Sequence, residues 1–159
     1  MHSTSAIVYR RATVTDVPQI EASRVGDSVV GPADYRMAAY LEGRHHPRHA
    51  KAPRTILVAL LDETVVGYIG GHLSDRFGCE AEVQYLYVAS PWRRLGVATE
   101  LLRQLARWFQ EHAATHVCVD VNPDSPEARP FYESTGAELL GVGGWMAWPD
   151  IRVWLSRSW

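Results

Sequence analysis

Cysteine is scarce in this chain, with only Cys79 and Cys118 among 159 residues. Two thiols do not make the framework of a disulfide-stapled secreted domain. The opening Met1-His2-Ser3-Thr4-Ser5 lacks the basic-then-apolar order of a signal peptide. These absences predict a cytoplasmic protein with free thiols, and Cys118, set in an apolar run, as a core residue. No apolar run approaches the ~20 residues that span a bilayer, so no membrane partner is expected. Net charge is only −2, which supplies no global field for nucleic acid, and no nucleic-acid partner is expected. The seven histidines would raise the charge only in acid. The P-loop string G-x-x-x-x-G-K-[ST] is absent, as is a dinucleotide fingerprint G-x-G-x-x-G between strand and helix. The nearest run, Gly141-Val142-Gly143-Gly144, leads into Trp145-Met146-Ala147-Trp148-Pro149, which does not open a helix. A nicotinamide or flavin cofactor is therefore not expected.

What is present suits one α/β domain over residues 1–159. A 47% hydrophobic and 21% charged composition is ordinary, and the length allows a proper core. Residues 6–11 read as a strand. Thr15-Asp16-Val17-Pro18 reads as a helix start, with a polar cap and an early proline, and the helix extends to about residue 25. Gly31-Pro32 breaks the chain before a second helix over 33–41, and 43–53 reads as a loop. Segments 55–61 and 65–72 are apolar and β-branched, and Asp62-Glu63 closes them into a hairpin. Residues 82–89 form the next strand.

The clearest helix is 97–111, with Val97, Leu101, Leu105, Trp108 and Phe109 at helical spacing and Glu100, Arg103, Arg107 and Glu111 opposite. A short buried strand covers 117–121. A helix over 126–135 follows, with Ser125 as N-cap, Pro126 in its first turn and Gly136 as its stop. The last strands are 137–142 and 151–155, joined by a loop carrying Trp145, Met146 and Trp148. The order β-α-α-β-β-β-α-β-α-β-β describes a mixed α/β sheet with strand–helix–strand units.

Between the strand at 82–89 and the helix at 97–111 lies Arg93-Arg94-Leu95-Gly96-Val97-Ala98, an R-x-x-G-x-A turn. The first N–H groups of a helix lack partners, and its dipole adds partial positive charge there. Gly96 lets backbone approach a bulky anion, and the two arginines add charge. Such a turn suits a phosphate or pyrophosphate. Taken alone it is equally an ordinary solvated loop.

Its company changes that balance, because the chain resembles the GNAT superfamily of acetyl-CoA-dependent N-acetyltransferases over nearly its full length. Tyr9-Arg10-Arg11-Ala12-Thr13-Val14-Thr15-Asp16 is similar to the family's opening R-x-A-x-x-x-D. Leu86-Tyr87-Val88 and the R-x-x-G-x-A turn resemble its central strand and [QR]-x-x-G-x-[GA] pyrophosphate loop. Ala128-Arg129-Pro130-Phe131-Tyr132-Glu133-Ser134-Thr135-Gly136-Ala137 is similar to its A-x-x-[FL]-Y-x-x-x-G-[FA] segment. Ser125 stands where many members carry Asn, and Ala98 replaces the commoner second glycine.

The resemblance implies a mixed, mostly antiparallel twisted sheet flanked by helices. It implies acetyl-CoA as co-substrate, no metal, and transfer of acetyl to a primary amine of an unidentified acceptor. Backbone at Leu86, Tyr87 and Val88 would pair with the pantetheine arm. Backbone N–H groups across Arg93, Arg94, Leu95, Gly96, Val97, Ala98 and Thr99 would hold the pyrophosphate. Asn122, Ser125 and Arg129 would touch the coenzyme from the other side. Tyr132 takes the family position that meets the departing thiolate. An ordinary Tyr, pKa ~10, is a weaker acid than a thiol near ~8.5, so full proton transfer is uphill by roughly 2 kcal/mol and a strong hydrogen bond is the alternative.

Glu82 stands six residues before Val88. In a regular strand Glu82, Gln84, Leu86 and Val88 share a face, and a Glu at this spacing acts as general base in some relatives. An exposed strand Glu and a water-chain base compete with that reading. His45-His46-Pro47-Arg48-His49 reads as a solvated loop, since Pro47 disfavours a helix that would align the histidines. His72, at a strand end, either lines the acceptor pocket or faces solvent. Trp145, Met146 and Trp148 either wall the acceptor site or form a core or homodimer contact. Acidity around Glu80 and Glu82 leans towards a small cationic amine. Two other readings stay open: a non-catalytic acyl-CoA-binding module, and a protein-interaction domain built on the tryptophan-rich end.

Overall fold

The computed structural model describes residues 6–26 and 37–157. Seven strands are β1 (Val8–Arg11), β2 (Ala50–Leu61), β3 (Thr64–Ser74), β4 (Ala81–Val88), β5 (Val117–Asp120), β6 (Glu138–Leu139) and β7 (Trp145–Trp148). The helices are α1 (Val17–Gly26), α2 (Met37–Leu41), α3 (Val97–Glu111), α4 (Ala128–Ser134) and α5 (Ile151–Leu155). The strands form one sheet in the order β1-β2-β3-β4-β5-β7-β6. Only β4 and β5 pair in parallel; every other pair is antiparallel. This is the mixed, mostly antiparallel sheet expected.

The β2–β3 hairpin closes through Asp62 and Glu63, both left-handed at φ 48° and 68°. That turn type matches the twist of paired strands. β2 begins at Ala50, inside the segment expected to be a loop. Its ladder passes from Lys51↔Leu73 to Arg54↔His72 and skips Ala52 and Pro53. Proline has no N–H to donate, and a bulge removes the need.

α3 keeps the expected bounds and buries Val97, Leu101, Leu102, Leu105, Ala106 and Phe109. It lies directly on β3, where a Cβ at Gly71 would come within 2.7 Å of the Phe109 ring. This core continues into Trp148 and Trp154, while a second core of Ile20, Met37, Tyr40, Ile56 and Tyr68 lies beneath α1 and α2. Cys118 is buried as expected, beside Cys79 and Ala147, and burial pushes both thiols up.

Three expectations need correction. Residues 151–155 are helical: Asp150 caps them by accepting the Arg152 N–H at 3.0 Å, and Ile151 and Trp154 bury one helical face. The seventh strand is instead Trp145–Trp148, so Trp145, Met146 and Trp148 sit in the sheet. α4 starts at Ala128 with Glu127 at the N-cap position, and Ser125 belongs to the preceding turn. The Gly31-Pro32 break and the start of the expected 33–41 helix lie outside the described residues.

Candidate active site

β4 opens the site by losing a neighbour. β5 pairs with it only at Ala81, Glu82 and Val83. From Tyr85 onward β4 keeps its ladder to β3, and its other edge faces a wedge between the diverging strands. A bulge marks the parting: Gly70 faces Tyr85 and Gly71 faces Val83, leaving Gln84 as an extra residue.

The bulge also reverses side-chain alternation. Val83, Leu86 and Val88 pack against the α3 core, whereas Tyr85 and Tyr87 pack against the other. Glu82 therefore shares a face with Tyr85 and Tyr87, not with Leu86 and Val88. The alternation expected from an unbroken strand fails at this point.

Above the wedge the chain turns through Ser90–Trp92 and Arg93 into α3. Arg94 and Gly96 are left-handed, at φ 63° and 84°. Among the described residues, no heavy atom beyond its chain neighbours lies within 4 Å of a Cβ built on Gly96, so space above the turn is open. Leu95 is exposed, Val97 is buried, and Ala98 and Thr99 are half-buried in the first helical turn. Arg93 turns back: its Nε donates to the Val88 carbonyl at 2.8 Å, and its guanidinium lies 5.8 Å from the Tyr87 ring centre. Arg94 reaches across to Glu127 at 3.2 Å, linking the turn to the start of α4.

On the β5–α4 flank, the Asn122 side-chain oxygen accepts the Asp124 N–H at 2.9 Å, and the Asn122 carbonyl accepts the Ser125 N–H at 3.2 Å. Arg129 pairs on the surface with Glu133 at 2.8 Å. Tyr132 lies between Phe131 and Trp148, with ring centres 5.3 and 5.7 Å away. Its residue is 5% exposed, and among the described residues no hydrogen bond engages its hydroxyl. Burial raises its pKa.

Glu82 is buried and well supplied with donors. His72 Nε2 lies 2.9 Å from Oε2, while Ser74 Oγ at 3.0 Å and Arg76 Nε at 2.7 Å reach Oε1. Burial pushes the carboxyl up, but donors led by His72 outweigh it and hold Glu82 below its ordinary value. Arg76 also stacks on Trp145, 4.6 Å from its ring centre. His72 is wholly buried, so it neither lines an open pocket nor faces solvent. Its pairing with Tyr40 and Arg76's role were not foreseen. The signal lay in the hairpin register, which places His72 opposite Glu82, but the register depends on bulges a sequence pattern does not locate.

Elsewhere, Glu80 accepts from the Thr115 N–H and hydroxyl and the His116 N–H, so its carboxylate fastens the start of β5. His46 Nδ1 lies 2.7 Å from Arg54 and His49 Nδ1 lies 2.9 Å from Asp75. An open depression lined by Lys51, Asp75, Glu80 and His112 lies at the other end of β4, away from the wedge.

A parallel pair that parts at a bulge, beneath a left-handed turn heading a helix, defines a mixed α/β fold with an opened central strand edge. The sequence model of the GNAT acetyltransferase family matches residues 24–137, and the chain belongs to that family. Among solved structures, the chain is similar to a ribosomal-protein-alanine N-acetyltransferase from Brucella melitensis biovar Abortus 2308. That match has 20% identity and a TM-score of 0.63, over 85% of this chain and 94% of the other. The PaiA N-acetyltransferase from Thermoplasma acidophilum, solved with coenzyme A, matches at 14% identity and a TM-score of 0.64, over 89% and 96%. An aminoglycoside acetyltransferase from an uncultured soil metagenomic sample matches at 21% identity and a TM-score of 0.64, over 86% and 92%. At these identities the likeness is one of fold. No curated protein matches the sequence. Among the described residues no helix is long and apolar enough to cross a membrane.

Proposed function

We propose that this protein transfers the acetyl group of acetyl-CoA to a primary amine by direct attack on the thioester. The observation that carries this reading is the opened edge of β4 beneath the left-handed Arg94 and Gly96 at the head of α3. Backbone N–H groups from Arg94 to Thr99 hold the pyrophosphate with the helix dipole behind them. Leu86 to Val88 offer backbone to the pantetheine arm, as a strand would. An amide at that edge polarises the thioester carbonyl and stabilises the developing oxyanion. Asn122, Ser125 and Arg129 approach the coenzyme from the opposite flank.

Tyr132 donates a hydrogen bond to the departing thiolate. Its raised pKa makes complete proton transfer costlier than for an ordinary tyrosine, which favours donation over transfer. Glu82 takes the proton of the attacking amine, directly or through water. Glu80 and Glu82 are both engaged by partners within the protein, so neither supplies a free charge that would select among amines, and the acceptor class is a primary amine.

Acetyl-CoA at ~100 times its Kd should stabilise the fold by about 2.7 kcal/mol. Gly96→Asp places bulk and negative charge in the open space above the turn and should remove that stabilisation. A wild-type melting shift in Gly96→Asp would exclude the turn as the coenzyme site. Free-thiol release with a panel of primary amines then tests transfer. Binding without thiol release for any amine would favour the non-catalytic acyl-CoA-binding reading.

A further inference from the structure

Behind Glu82 a line of buried polar groups crosses three elements. His72 Nε2 lies 2.9 Å from Glu82 Oε2, and His72 Nδ1 lies 2.8 Å from the Tyr40 hydroxyl. His72 and Tyr40 are each 0% exposed, so neither touches a substrate. A carboxylate only accepts hydrogen bonds, so Nε2 carries the imidazole hydrogen. In the neutral ring Nδ1 is then bare and accepts from the Tyr40 hydroxyl.

Other charged and polar groups face this pair from the neighbouring elements. Arg54 is its cross-strand neighbour in β2. The Arg54 guanidinium donates to the carbonyls of Tyr40 and His45 and lies 5.0 Å from the Tyr40 ring centre. Tyr85 meets Tyr40 edge-on at 5.3 Å, and Arg76 and Ser74 reach the same carboxylate from its far side. His72, Ser74 and Arg76 take three of the roughly four lone-pair positions of the Glu82 carboxylate. One position remains, on Oε2.

We propose that His72 and Tyr40 are positioning residues for Glu82, fixing the imidazole tautomer so that the remaining Oε2 lone pair receives the acceptor's proton. The inference rests on the acetyl-transfer reading above. In the step, an N–H bond of the acceptor's ammonium breaks, its electron pair stays on nitrogen, the proton bonds to Oε2, and the neutral amine then attacks the thioester carbonyl. Glu82 later returns that proton to water. His72 and Tyr40 exchange no proton with the substrate.

The test compares wild type with Tyr40→Phe, His72→Gln and His72→Leu. Gln keeps an N–H donor towards Glu82 and Leu does not. Thiol release is followed over about pH 6 to 9 with the best amine from the panel, and coenzyme A binding reports folding. His72→Leu and Tyr40→Phe should lower kcat about tenfold or more, with an altered pH profile. Acceptor KM should change less than about threefold, and His72→Gln should recover most of the loss. Nitrogen-15 spectra of the wild-type imidazole should show hydrogen on Nε2 and a bare Nδ1. Equal losses in Gln and Leu with pH profiles parallel to wild type would overturn the inference, as would hydrogen found on Nδ1 alone. Absence of thiol release from wild type with every amine would instead remove the acetyl-transfer reading, and this inference with it.

Discussion

Tyr132 is anchored through its backbone carbonyl. Its carbonyl accepts the Thr135 hydroxyl at 2.6 Å, and the Thr135 hydroxyl oxygen in turn accepts from Trp148 Nε1 at 3.0 Å. The ring is therefore placed by a chain of bonds from α4 to β7, while its hydroxyl is spared. Packing alone requires no hydroxyl. Tyr132→Phe should keep acetyl-CoA affinity and lower turnover on the order of 10²-fold. Equal turnover in both proteins, with chemistry shown to limit the rate, would exclude Tyr132 from meeting the thiolate. Its motif pointed to this residue from sequence. The depth of burial that weakens it as an acid was not visible there, because that depth comes from Trp148, in a segment whose strand was assigned elsewhere.

Among elements, the junction of β1 with α1 is held by one clamp. The Arg10 guanidinium grips Asp16 through two 2.8 Å contacts, and Asp16 also accepts the Thr13 N–H at 2.8 Å. Arg10 foremost holds the Asp16 carboxyl down to about 2. An unfolded Asp titrates near ~3.9, so this stabilisation is present above about pH 4 and disappears as pH falls towards 2. With Arg10 partly exposed, solvent screening leaves about 1–2 kcal/mol. Arg10→Ala should lower the unfolding free energy by that amount at neutral pH, and the gap should close near pH 2 in denaturant titrations. A gap of constant size down to that pH would show the clamp contributes through packing alone. Elements with long periods were readable: α3 has fifteen residues of unbroken amphipathic spacing and kept both ends. Short ones were not. Five residues at Ile151–Leu155, four of them apolar, satisfy strand and helix alike, and only the Asp150 cap decides between them. A single inserted residue at Gln84 reversed the facing of half of β4, and local pattern carries no sign of it.

At the scale of the whole molecule, the sheet is two panels on a short hinge. β1 to β4 form one panel and β5, β7 and β6 the other, joined by the three paired positions Ala81, Glu82 and Val83. α3 spans both, lying on β3 and meeting α5, and the surface contact of Arg94 with Glu127 crosses the open end. Coenzyme A bound along the wedge should slow amide hydrogen exchange in β5, β7 and α4 as well as in the 94–99 turn, with little change in the β2–β3 hairpin. Protection confined to the turn would show that the panels are already rigid. On the acetyl-transfer reading, a seam this short would make stiffness a gauge of how completely the coenzyme is seated. Pantetheine alone would enter the wedge without grasping the turn, and adenosine diphosphate would grasp the turn without entering the wedge. Comparing how far each fragment quiets the far panel separates the clasp from the wedge in one folded protein.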